Sequence, residues 1–125
     1  MDQKICIDTD ITIEIIKDTQ LGMNFFNKYK NSEVFISTVS IFELFLREKN
    51  LDPIEKFIFN TNIIDFTEAC ARKAASILKS LKKEGKMIEF RDLFIASTAI
   101  VNGCTLATLN KKHFENIREL KLLEL

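Results

Sequence analysis

The chain has 125 residues, 46% of them hydrophobic, enough for one domain over residues 1–125 with a proper core. Its 18 basic and 18 acidic residues balance. A dedicated high-affinity duplex-DNA binder would show a broad basic footprint and is not expected, whereas an enzyme that holds nucleic acid through local basic patches is still allowed. Residues 4–8 read as a short buried strand. Residues 11–17 (ITIEIIK) are ambiguous: their alternation suits a strand, but Asp10 offers a helix N-cap. Residues 20–30 place Leu21, Phe25, Phe26 and Tyr29 on one helical face. After a turn at Asn31-Ser32, Val34-Phe35-Ile36 is a second strand.

Residues 40–49 (SIFELFLREK) look helical, and Asp52-Pro53 starts another helix with proline in its first turn. Asn60-Thr61-Asn62 breaks that helix, and Ile63-Ile64 is a third strand. Residues 67–83 carry the clearest helical stripe, Cys70, Ala74, Ile77, Leu78 and Leu81, with Gly85 just beyond its end. Residues 91–102 are apolar on nearly every side, so this helix is expected to be buried, with Asn102-Gly103 as its stop. Residues 105–108 are a fourth strand, residues 111–116 a short helix, and residues 121–124 a last strand. Short strands alternating with helices predict an α/β fold with a parallel sheet covered on both faces.

The three cysteines, Cys6, Cys70 and Cys104, are widely spaced in apolar contexts without a C-x-x-C pair, and read as reduced, buried thiols. The sole histidine, His113, makes no familiar zinc spacing with them and reads as a surface residue. No apolar run approaches about 20 residues, so no membrane span is expected. Without a basic and then apolar leader the reading is cytoplasmic.

Ligands of open parallel sheets bind beyond the carboxyl ends of the strands. The first strand is followed by Asp8, Thr9 and Asp10. The second leads through Ser37 and Thr38 to a helix carrying Glu43, and the fourth leads to Thr108 and Asn110. Asp92 opens the buried helix. Each has a plainer reading. Asp8 could end a surface strand, Asp10 could cap a helix, and Asp92 could serve the dipole of its own helix, with Arg91 as its ion-pair partner. Ser40-x-x-Glu43 has capping-box spacing. Yet Glu43 lies among Ile41, Phe42, Leu44, Phe45 and Leu46, and a carboxylate enclosed by apolar groups needs a partner. Asp8, Glu43 and Asp92 at one sheet edge would repel one another, and a divalent cation removes that repulsion. Oxygen ligands without Cys or His suit Mg²⁺ or Mn²⁺, ions that stabilise charge on a phosphoryl group and activate water.

These segments resemble PIN-domain ribonucleases, in particular the VapC-like toxins of toxin–antitoxin pairs. The resemblance covers nearly the whole chain. It rests on ICIDTDITIEI, on STVSIFELFL and most specifically on RDLFIASTAIVNGCTLATLNKKHFENI, residues 91–117. There Asp92 begins an xIAxxAxxxG segment, followed by T-x-[DN]-x-x-[DH]-F at Thr108, Asn110, His113 and Phe114. The resemblance implies a three-layer α/β/α domain with a short-stranded, mostly parallel sheet, and metal-dependent hydrolysis of RNA phosphodiester bonds. It implies Asp8, Asp92 and Glu43 as ligands of Mg²⁺ or Mn²⁺, with Asn110 completing the catalytic set and Thr9, Asp10 and Thr108 supporting it. The family's fourth acid is replaced by Asn110, and Asp10, where the family often has Asn, would lend charge back. A homodimer and a VapB-like antitoxin are further implications.

Lys82, Lys83, Lys86, Arg91, Lys111 and Lys112 are candidate phosphate contacts, or else solvated faces. Two rivals stay open. Asp8-Thr9-Asp10-Ile11-Thr12 fits the D-x-D-x-[TV] pattern of haloacid-dehalogenase-like phosphatases, with Asp8 as nucleophile. Alternatively, Asn110 marks a weakened PIN domain that only binds RNA or a protein.

Overall fold

A computed structural model of the protein describes residues 3–125. Its sheet holds β1 (Lys4–Ile7), β2 (Glu33–Ser37), β3 (Asn62–Ile64) and β4 (Thr105–Ala107), ordered β3-β2-β1-β4 and parallel throughout. The helices are α1 (Thr9–Ile16), α2 (Gln20–Tyr29), α3 (Thr38–Leu44), α4 (Leu51–Phe59), α5 (Glu68–Lys83), α6 (Phe90–Val101) and α7 (Lys111–Phe114). Ile5, Cys6 and Ile7 are fully buried, as a central parallel strand requires. Because side chains alternate along a strand, Cys6 joins one core with Leu106, Ala74, Leu93 and Ala96. Ile5 and Ile7 join a second core with Ile11, Phe25, Ile36 and Ile54. The sheet therefore lies between two helical layers.

The strand order fixes where a site can form. From β1 the chain builds outward to β2 and β3, then returns to place β4 on the other side of β1. The crevice beyond the carboxyl ends of β1 and β4 is the topological switch point.

Several sequence expectations shift. Residues 11–16 fall in helix α1, with Lys17 as its C-cap, because burying Ile11 and Thr12 together outweighs the strand-like alternation. The N-cap of α1 is Asp8, not Asp10, which lies in the first helical turn. The helix expected over 40–49 starts at Thr38 and ends at Leu44, and the one expected over 111–116 ends at Phe114. The last strand is reduced to a parallel bridge between Leu106 and Leu122. Leu106 N–H donates to Lys121 O at 2.8 Å and Leu123 N–H to Leu106 O at 2.8 Å. The apolar face of α2 is narrower than its spacing predicts, since Phe25 is buried but Phe26 is 61% exposed.

The three thiols are free and buried. Burial pushes the pKa of Cys6 and Cys104 upward, so both stay protonated and unreactive. No helix among the described residues is long and apolar enough to cross a membrane.

Helices α1 and α2 meet at Gly22, where an added Cβ would stand 2.3 Å from the Glu14 carbonyl oxygen. A helical Gly→Ala change ordinarily stabilises by about 1 kcal/mol. Here the obstacle is backbone, so overpacking wins. Gly22→Ala should lower the stability measured by urea denaturation by roughly 1–3 kcal/mol.

Candidate active site

Asp8 leaves β1 at the switch point and is only 6% exposed. Its Oδ1 accepts from Thr9 N–H at 2.8 Å, and its Oδ2 accepts from the Thr108 hydroxyl at 2.8 Å across the crevice. The second bond ties the end of β1 to the end of β4. Burial raises the Asp8 pKa to about 6, and the charges of Asp10 and, less strongly, Glu43 push the same way. The bonds from Thr108 and Thr9 oppose that shift without cancelling it.

Asp10 belongs to this cluster rather than to a cap. Its Oδ1 accepts from Ile11 N–H at 2.7 Å. Its Oδ2 faces the segment after β4, where Leu109 N–H donates at 3.0 Å and the Asn110 amide at 3.1 Å, and where the Thr108 hydroxyl oxygen, whose proton goes to Asp8, lies 3.4 Å away. Its pKa is nevertheless raised, first by burial and also by the charge of Glu43.

Glu43 comes from the last turn of α3. The capping-box reading fails because Ser37 is the N-cap, its hydroxyl accepting from Ser40 N–H at 3.1 Å. Nor is Glu43 walled in by apolar groups: Leu44 is buried, but Phe42, Phe45 and Leu46 are exposed. The expected partners exist, however. The Thr9 hydroxyl donates to Oε1 at 2.8 Å, and Arg91 Nη1 lies 3.5 Å from Oε2. Arg91 also lies over the Phe42 ring at 5.5 Å. Arg91 thus pairs with Glu43, not with its sequence neighbour Asp92.

Asp92, in the first turn of α6, is paired instead with His113 of α7, whose Nδ1 lies 3.2 Å from Oδ2. Its pKa is raised by burial, against the His113 contribution, with Glu89 and Glu43 adding to the rise. His113 is exposed, as its sequence context predicts, but it stands at the site. The signal for that was its place in the T-x-[DN]-x-x-[DH]-F segment.

The sequence model of the PIN domain matches residues 5–120. The chain belongs to the PIN-domain family. Ribonuclease VapC1 of Methanocaldococcus jannaschii is 33% identical over 117 residues, which span 87% of this chain and 85% of that protein. VapBC2 from Rickettsia felis, in a crystal structure bound to a DNA fragment from its promoter, has a TM-score of 0.88 at 29% identity, covering 98% of this chain and 99% of that one. DNA-bound VapBC from Salmonella typhimurium has a TM-score of 0.84 at 26% identity, covering 97% of each chain.

The three-layer α/β/α expectation therefore holds, with a PIN-domain sheet that is wholly parallel among the described residues. The phosphatase alternative fails on the family and on the geometry. Glu43 stands among the acids, and the chain after β4 carries Asn110 instead of the late acidic pair such an enzyme needs.

The donors in this PIN domain are carboxylate, amide and hydroxyl oxygens, the chemistry of a hard divalent cation. The carboxylates of Asp8, Asp10 and Asp92 are all harder to ionise than usual, chiefly through burial and secondarily through neighbouring acids. Donor type and charge fit the ion. Among the described residues no three His, Cys, Asp or Glu side chains form a ready coordination shell. Glu43 is engaged by Arg91 and Asp92 by His113, so each of these two acids already has a protein partner.

The basic candidates divide. Lys112 lines a cavity of about 340 Å³ together with Asp92 and His113. It also lines a second of about 390 Å³ with Thr108 and Asn110. Lys111 is paired with Glu124 at 3.7 Å. Lys82 and Lys83 end α5, with Lys86 just beyond, and Lys83 lines a separate cavity of about 450 Å³ to which none of the four acids contributes.

Proposed function

We propose that this PIN domain is a divalent-metal-dependent endoribonuclease of the VapC kind, cutting RNA phosphodiester bonds at the β1/β4 crevice. The observation that carries the reading is the convergence of Asp8, Asp10, Glu43 and Asp92, from three separate parts of the chain, at one switch point, where burial first and neighbouring acids second raise the pKa of the three aspartates. Relatives named as VapC ribonucleases support the reaction class.

Asp8 and Asp92 are the main ligands for Mg²⁺ or Mn²⁺ in this reading, with Glu43 binding directly or through water. A bound ion would stabilise charge on the phosphoryl oxygens and make water more acidic. The chain's own groups do the rest. Thr9 orients Glu43 and Thr108 orients Asp8 through the hydroxyl bonds described above. Arg91 and Lys112 flank the acids and are placed to hold phosphates of the bound strand without reading its bases. Lys82, Lys83 and Lys86 belong to a more distant rim. Neighbouring structures that are VapBC complexes support a VapB-like antitoxin as partner. A homodimer working in the cytoplasm completes the proposal.

The test is cleavage of single-stranded and structured RNAs with Mg²⁺, Mn²⁺ or EDTA. Cutting should require the metal. Equal cutting in EDTA would show that no metal site operates. Metal-independent retention of RNA without cutting would favour a binding module.

A further inference from the structure

The bonding around Asp10 exceeds what a helix-turn residue needs. One oxygen of its carboxylate serves its own helix, through Ile11 N–H. The other receives two donors from a segment about 100 residues away, namely Leu109 N–H and the Asn110 amide, with the Thr108 hydroxyl oxygen 3.4 Å off. These long-range bonds hold the Asp10 carboxylate at the crevice, beside Asp8, and not along its own helix. Asn110 is the mirror of this. It sits at the mouth of β4 beside the acids, carries no charge, and spends an amide N–H on Asp10 at 3.1 Å. Its own backbone N–H donates to the Thr108 hydroxyl at 3.0 Å. That hydroxyl also serves Asp8. Asp10 and Asn110 are thus two ends of one acid–amide contact, beside the same threonine and facing the same crevice.

We propose that Asp10 is the fourth carboxylate of the metal site and that Asp10 and Asn110 form an exchanged pair, with α1 supplying the charge that the loop after β4 lacks. The proposal rests on the metal-site reading above. An acid–amide contact is preserved when its members trade places, because an amide donates to a carboxylate from either side. Removing the acid lowers the site's charge by one. Adding a second acid at position 110 puts two carboxylates in contact, which only a cation or a proton relieves. A plain structural brace behaves differently: its donors, the Leu109 and Ile11 amides, are fixed in place and need the acceptor at position 10.

Isothermal titration of Mn²⁺ into four proteins distinguishes these cases, with a thermal melt of each as the check on folding. Wild type, Asp10→Asn, Asn110→Asp and the double exchange Asp10→Asn/Asn110→Asp are compared. Asp10→Asn should weaken Mn²⁺ binding by about 10- to 100-fold. Asn110→Asp should bind at least as tightly as wild type, and the double exchange should recover most of the affinity lost in Asp10→Asn. Equal binding by wild type and Asp10→Asn would overturn the proposal, as would a double exchange no better than Asp10→Asn. If wild type itself binds no Mn²⁺, the metal-site reading falls first and the pairing with it. If wild type binds and only the exchange fails, the nuclease reading stands.

Discussion

Asp8→Asn is expected to melt above wild type at pH 7.5 in the absence of added metal, by about 5 °C or more. Asp8 is nearly fully buried, and its carboxyl reaches half-ionisation only at about pH 6. Holding it ionised at neutral pH therefore costs on the order of 2–3 kcal/mol. Asparagine keeps an oxygen to accept from Thr9 N–H, and the Thr108 hydroxyl can turn to accept from the new amide. The substitution thus removes the buried charge while keeping the local bonds. Differential scanning calorimetry decides the matter. A variant that melts below wild type would make Asp8 an ordinary structural cap.

The same electrostatics set the pH dependence of the wild-type protein. Asp8, Asp10 and Asp92 all have folded-state pKa values above the ordinary carboxylate value of 3.8. In the window between 3.8 and about 6, set by Asp8, the folded protein binds more protons than the unfolded chain. Stability therefore falls as pH rises through that window and stays low above it. Urea denaturation should give a lower unfolding free energy at pH 7.5 than at pH 5, by about 1–2 kcal/mol in EDTA, since at pH 5 the unfolded carboxyl is already mostly ionised. Mn²⁺ should remove most of this difference, since an ion present at 100 times its Kd adds about 2.7 kcal/mol to the folded state. A rise in stability from pH 5 to 7.5 without metal would show that these carboxylates are already satisfied by the protein.

The parts of the fold that the sequence made legible are those where pattern and burial agree. β1 and α6 read correctly because unbroken apolar runs in an α/β chain bury on all sides. Residues 11–17 stayed ambiguous because Ile11, Ile13 and Ile15 alternate like a strand. What decides them is the cap at Asp8 and the need to return across the sheet, which are tertiary facts. The last strand shrank to one bridge because Leu122 meets only Leu106. At the site, the three separated acids were visible as carboxylates at element ends. Their partners were not. Arg91 lies next to Asp92 in sequence but reaches Glu43, because it stacks on Phe42 of α3. The role of Asp10 depends on a segment about 100 residues away, which no local pattern reports.

The central claim is that the Asp8 cluster cuts RNA through a divalent ion. Its most direct test is cleavage of one labelled RNA by wild type and Asp8→Asn, side by side in the same Mn²⁺ buffer. Wild type should cut, and the variant, which remains folded, should lose about 100-fold or more of that activity. A variant that cuts as fast as wild type would contradict the claim.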